Sequence, residues 1–258
     1  MTLILRVKLN NATYIASDSQ VNDSNGLAYY DKSTRKPANQ IKLINSGNRL
    51  TVGISGILSY KNFNYYDFIK NEFTNLPTMD IIQLQEALNI RSTEIPRNGK
   101  LVDATALSVY DALTSKNYFL TITTVQWLCK EVNSDHFRFK TKDLNTIAEH
   151  FALDYRVIKK TLSNKLFRST FDTNFDAFAP AEQSSNHSSI IYCIVAAAIS
   201  NCEVDITKIL SINRLVVVEL IEKVFNFIES IKHSQNLPST YFRVLKSIGP
   251  LHIIEPNK

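Results

Sequence analysis

Apolar and polar positions alternate with a period of two from Leu3 to Ala16, where L-I-L-R-V-K-L-N-N-A-T-Y-I-A sets Arg6 and Lys8 against apolar neighbours. This period predicts a β-hairpin, turned at Asn10-Asn11, because successive strand side chains point to opposite faces. A polar stretch over 17–39, containing Gly26 and Pro37, separates the hairpin from a second predicted strand pair, 41–44 and 49–54, joined across Ser46-Gly47-Asn48. After Ser55-Gly56 the period lengthens to that of a helix. Phe63, Tyr66, Phe68, Ile69 and Phe73 predict helix over 60–73, and a second helix over 79–90 starts near Asp80. Strand alternation returns over 104–111 and 118–124, joined by Ser115-Lys116-Asn117.

The segment 125–186 is polar, punctuated by Phe and partly helical, with 143–166 its strongest helical stretch, and it reads as an insertion. Helices resume over 188–200 and 214–233, with a shorter one near 206–210. Leu215, Val218, Ile221, Val224, Phe225 and Ile228 give the 214–233 helix one apolar face. Residues 241–245 and 251–255 read as closing strands on either side of Gly249-Pro250. Strands, helices, strands, helices and strands predict an α+β layered domain, its first part over 1–124 and its remainder over 187–258.

Composition narrows the class. With 44% hydrophobic and 21% charged residues in 258, disorder and collagen are excluded. Cys129, Cys193 and Cys202 are odd in number and contain no C-x-x-C pair, which suggests a reducing compartment. The longest apolar run, 190–199, is about half of what a bilayer core requires, and the N-terminus lacks a signal-peptide pattern. A cytoplasmic protein is expected. The net charge of +5 is too small to identify an anionic partner by itself.

The chemistry-bearing residues gather near the start. Thr2 follows Met1, and a small second side chain favours removal of Met1, leaving Thr2 with a free α-amine. An α-amine with an ordinary pKa of ~7.7 is partly neutral at physiological pH and can take the proton of its own side-chain hydroxyl. A lysine nearby disfavours protonation of that amine and stabilises the alkoxide, and Lys42 is the candidate, with Lys32 and Lys36 competing. Asp18 can hold that lysine in place. Ser55 and Gly56 can offer backbone N–H groups to a tetrahedral oxyanion.

The order Thr2-Leu3-Ile4-Leu5, Tyr14-Ile15-Ala16-Ser17-Asp18-Ser19-Gln20, Ile41-Lys42-Leu43-Ile44 and Leu50-Thr51-Val52-Gly53-Ile54-Ser55-Gly56 resembles the start of proteasome β-subunits and of the bacterial proteasome-like peptidase. The resemblance implies the four-layer αββα sandwich of N-terminal-nucleophile hydrolases, here with a partly helical insertion. By residue match it implies Thr2 as nucleophile, Asp18 and Lys42 as its charge partners and Gly56 as oxyanion donor, with no cofactor and no metal. It further implies a peptide or unfolded-protein substrate, a homo-oligomeric ring and an unfoldase partner.

Departures accompany the match. The spacing from Asp18 to Lys42 is about eight residues longer than the family usually shows. The family's serine at the third helix falls among Ser184, Ser185, Ser188 and Ser189. The family's Asp and Ser before the closing glycine correspond to Leu245 and Ile248. A scaffold or interaction protein that has lost activity is therefore the competing expectation, its helical insertion binding a partner or DNA.

Within that insertion, residues 144–162 resemble a helix-turn-helix motif: a small Ala148, Ala152 where glycine is usual at the turn, and apolar Ile158 and Leu162 on a second helix. Arg156, Lys159, Lys160 and Lys165 would face phosphates, although a helical hairpin with a solvated basic face gives the same letters and is favoured by the sequence alone. The five histidines show no metal-ligand spacing, and no phosphate-binding or nucleophile-elbow motif is present. Trp127 and Phe167, Phe171, Phe175 and Phe178 read as core of their own segment before they read as a docking patch.

Overall fold

A computed structural model describes residues 3–9, 12–21, 34–35, 38–56, 59–60, 63–92, 105–122, 126–132, 139–163, 171–174, 181–201, 214–233, 237–246 and 248–254. The strands are β1 Ile4–Leu9, β2 Ala12–Asp18, β3 Leu43–Asn45, β4 Leu50–Gly56, β5 Ser59–Tyr60, β6 Phe63–Asn64, β7 Thr105–Asp111, β8 Lys116–Ile122, β9 Trp127–Val132, β10 Phe171–Asn174 and β11 Leu251–Ile254. The helices are α1 Tyr65–Asn75, α2 Ile81–Ser92, α3 Thr141–His150, α4 Tyr155–Ser163, α5 Ala181–Asn201, α6 Arg214–Ile231 and α7 Ser239–Lys246. The fold is α+β, with two larger antiparallel sheets in the orders β10-β1-β2-β11 and β3-β4-β7-β8-β9. The chain divides into two compact units, Met1–Gln40 with Ser134–Phe175 and Ala181–Pro256, and Ile41–Asn133 with the short pieces Asp176–Pro180 and Asn257–Lys258.

In the first unit the expected hairpin forms, Leu9 opposite Ala12. Leu3, Leu5 and Val7 of one strand face join Tyr14 and Ala16 in a core shared with α3 to α7. Helix α5 is buried from Ser189 to Ile199, which its all-round apolar sequence requires, and packs against α3, α4 and α6. Helix α6 buries Val217, Leu220, Ile221, Val224 and Ile228 at helical spacing.

In the second unit α1 and α2 cover the five-stranded sheet through Ile69, Phe73, Leu84 and Leu88, which meet Val52, Ile54, Leu107, Val109 and Leu120. Trp127 is fully buried here, edge-on to Tyr65 at 5.8 Å. Asn64 caps α1, accepting from Tyr66 N and Asp67 N. Asp80 and Gln83 form a reciprocal capping box at α2, each side chain accepting from the other's backbone N–H at 2.9 Å. Arg49 donates from Nε and Nη2 to the buried Asp111, joining the ends of β4 and β7.

Two readings of the sequence change. Residues 241–245, expected as a strand, lie in helix α7: Tyr241, Val244, Leu245 and Ile248 recur at helical spacing and face the core, a period that five residues read alone cannot display. Helix α1 starts at Tyr65 rather than residue 60, after the short β5–β6 hairpin. The segment 125–186 supplies an edge strand to each large sheet, β9 and β10, and places α3 and α4 in the core of the first unit. The helix expected near 206–210 lies outside the described residues, as do Lys32, Lys36, Lys165, Cys202 and Thr2.

Candidate active site

Asp18 ends β2 and is fully buried. A buried carboxylate is costly unless hydrogen bonds replace its water, and here backbone amides do so. Leu3 N donates to Oδ1 at 2.7 Å, while Gln20 N and Gly249 N donate to Oδ2 at 3.2 and 3.4 Å. The three donors come from the start of β1, the residues after β2 and the approach to β11, so one side chain gathers three parts of the chain. Asp18 N returns a bond to Leu3 O at 3.1 Å. Thr2 is covalently next to Leu3, whose amide nitrogen is thereby fixed on Asp18.

The neighbouring residues reinforce this gathering. Ser19 N donates to Pro250 O at 2.8 Å, and Gln20 Nε2 donates to Lys246 O at 2.8 Å. Gly249 is demanded by space: a Cβ there would lie 2.2 Å from Gln20 Cβ. The sequence marked Gly249-Pro250 only as a break. The roles of Gly249 and Gln20 were missed, because a glycine selected for close approach looks like one selected for a turn.

Lys42, Ser55 and Gly56 belong to the second unit and are described within it. Lys42 stands one residue before β3, and its carbonyl accepts from Ile54 N at 2.8 Å, extending the β3–β4 ladder that pairs Leu43 with Gly53. Lys42 is only 3% exposed. Ser55 is buried, and its Oγ has no hydrogen-bond partner among the described residues. Gly56 ends β4 with φ 88°, a left-handed conformation that favours glycine.

Leu245 and Ile248, which the sequence resemblance sets against a supporting Asp and Ser, are buried in the apolar core of the first unit. Ser189 is buried in α5, and its Oγ accepts from Lys140 N at 2.7 Å, a contact that anchors the start of α3. The side chains of Ser184, Ser185 and Ser188 lie outside the described residues. A second buried polar group sits in the same unit: Asp143 of α3 accepts from Tyr241 Oη at 2.6 Å, and its Oδ2 has no partner among the described residues. Burial, and the nearby Asp143 carboxylate, push the Cys193 thiol far above its usual range. No group of three or more metal-ligating side chains is found among the described residues, and no helix there is long and apolar enough to cross a membrane.

No family model and no curated protein matches the chain. Solved structures similar to it include three at 10%, 17% and 12% identity. A complex of Thiobacillus denitrificans BPH with epoxomicin is 10% identical over 99% of both chains, with a TM-score of 0.44. Eukaryotic HslV from Trypanosoma brucei is 17% identical over 58% of this chain and 78% of its own, with a TM-score of 0.26. Anbu, an ancestral beta-subunit from Yersinia bercovieri, is 12% identical over 98% and 81%, with a TM-score of 0.34.

Proposed function

We propose that the chain is an N-terminal-threonine peptidase, in which loss of Met1 exposes Thr2 and the hydroxyl of Thr2 attacks a peptide carbonyl. The observation that carries this reading is the 2.7 Å bond from Leu3 N to the buried Asp18 carboxylate, which fixes the residue next to Thr2 on the acidic group such chemistry uses. In this reading the α-amine of Thr2 takes the hydroxyl proton and returns it to the leaving amine. An acyl-enzyme forms on Oγ, and water releases it by the reverse route. Lys42 keeps the amine neutral and Gly56 donates to the oxyanion. The chemistry needs no cofactor. The substrate is a peptide or unfolded protein, delivered by an unfoldase to a homo-oligomeric ring in the cytoplasm.

A second reading, a proteasome-like scaffold without activity, is favoured by one observation: apolar, buried Leu245 and Ile248 leave no polar side chain at two positions where the resemblance calls for Asp and Ser. Intact mass, measured with and without a peptide epoxyketone, separates the two. The peptidase reading expects loss of Met1 and a stoichiometric adduct that Thr2→Ala abolishes. Retained Met1 with no adduct overturns it and leaves the scaffold.

A further inference from the structure

The segment whose letters resembled a helix-turn-helix folds as two helices joined by a short turn. Helix α3 ends at His150, α4 begins at Tyr155, and residues 151–154 form the turn between them. A turn of three or four residues is what that motif uses. Ala152 stands in this turn at φ 51°, the left-handed conformation for which glycine is usual. Asp154 then opens α4 by accepting from Arg156 N at 2.7 Å. The inner faces are fixed by packing: Leu144, Ile147 and Ala148 of α3 and Ile158 and Leu162 of α4 are buried in the first unit's core. Thr161 Oγ1 and Ser200 Oγ, 2.9 Å apart, hydrogen-bond α4 to α5.

That packing leaves the other face of α4 in solvent. Arg156, Lys159 and Lys160 are exposed, and among the described residues none of the three meets a carboxylate. Their spacing of three and four puts them on one face of the helix. Lys159 Nζ lies 5.7 Å from the Tyr155 ring centroid. Val157, 46% exposed, is the exposed large apolar residue of this helix, so the face is a charged surface rather than an apolar patch. An α-helix with its side chains is about 10–12 Å across, which the ~12 Å width of the major groove of a DNA duplex admits.

We infer that α4 docks in the major groove of duplex DNA, with Arg156, Lys159 and Lys160 on phosphates or base edges and α3 packed behind it. The inference goes beyond the peptidase reading and does not depend on it. A polyanion with regularly spaced charges complements three cations on one helical face, and the helix-turn-helix presents the start of its second helix to base edges.

The test is fluorescence anisotropy of the full-length protein with a labelled 20-base-pair duplex between 50 and 200 mM salt. Three phosphate contacts give a slope of log K against log salt of about −2.7, which is roughly a 40-fold loss of affinity across that range. The variant R156Q/K159Q/K160Q should lose this dependence, and because all three side chains are exposed its melting temperature should match the parent. A control variant, Lys223→Gln, changes an exposed lysine of α6 and should bind as the parent does. Lack of binding at 50 mM salt, or equal affinity and slope in parent and triple variant, overturns the inference. Equal or tighter binding of the single strand or of heparin overturns the duplex as partner.

Discussion

Replacing Gly249 by alanine tests whether Asp18 gathers the chain as described. The φ of Gly249 lies outside the left-handed region, so any penalty comes from space and not from conformation. The new Cβ would fall 2.2 Å from Gln20 Cβ, 2.9 Å from Gln20 N and 3.0 Å from Gln20 Cα. None of these atoms moves by side-chain rotation, so the two backbone segments must separate by about 1.5 Å to reach ordinary contact. That displacement carries Gly249 N, already 3.4 Å from Asp18 Oδ2, out of hydrogen-bond reach. Overpacking costs about 1–3 kcal/mol and loss of a bond to an ionised group about 1.5–3 kcal/mol, so about 4 kcal/mol is expected. In a chain of 258 residues this lowers the melting temperature by roughly 8–16 °C. Differential scanning fluorimetry reads the shift, and amide exchange should show faster exchange at Leu3 and Gln20. Gly47→Ala supplies the contrast, since Gly47 is exposed with φ 86° and should lose only about 1 kcal/mol. A Gly249→Ala protein melting within 2 °C of the parent with unchanged exchange at Leu3 would refute the close approach.

Further outcomes follow from the same structure. Asp18→Asn puts an NH2 group among three backbone donors and should cost about 2–3 kcal/mol in urea unfolding, whether or not the protein cleaves peptides. Burial, then the hydrogen bond to Asp143, raise the Tyr241 hydroxyl from its ordinary 10.0 to about 12; the folded state thus keeps a proton that the unfolded chain releases. Its contribution should be complete below pH 10 and fall as pH rises towards 12, and a pH series of melting temperatures should lose that limb in Tyr241→Phe. Cys193 is fully buried with its thiol pushed up, and should resist a disulfide reagent at pH 8 until the protein unfolds, whereas partly exposed Cys129 should label before it, as peptide mapping of the labelled protein would show. Ala152→Gly removes the left-handed alanine between α3 and α4 and should raise stability by up to about 1 kcal/mol in urea unfolding.

The sequence revealed the fold wherever a local period ran long enough to declare itself. The β1–β2 hairpin, the β7–β8 pair and α6 follow from alternation or helical spacing alone. Failure came where the deciding information was tertiary. Helix α7 read as a strand because Tyr241, Val244 and Leu245 show their common face only once Ile248 and the core behind them are known. β10 carried no strand signal because an edge strand has the weakest pattern and its partner lies far away in sequence, Val7 opposite Phe171. β9 pairs with the strand just before it, Ile122 opposite Trp127, and went unread because 127–132 mixes apolar and charged residues without a clean alternation. Asp18 was legible as a functional candidate through its neighbours in sequence order. Its donors were not, since Gly249 N approaches from 231 residues away and a backbone amide leaves no trace in side-chain identity.

The same donors separate what the fold needs from what catalysis needs. Three backbone amides of its own unit donate to Asp18, so the fold uses its carboxylate whether or not the protein cleaves peptides. The bond from Leu3 N therefore supports the proposed peptidase by placing the residue next to Thr2, and the Thr2→Ala adduct test decides between peptidase and scaffold. Leu245 and Ile248 carry the opposite weight. Both complete an apolar core that polar side chains would break, so the chain has committed these two positions to packing. In the proposed peptidase, catalysis by Thr2 would rest on its own α-amine as the base, since neither Leu245 nor Ile248 supplies a polar side chain. On that reasoning the activity, where present, should follow the titration of an amine that Lys42 holds below its ordinary ~7.7, and blocking the α-amine should abolish it outright.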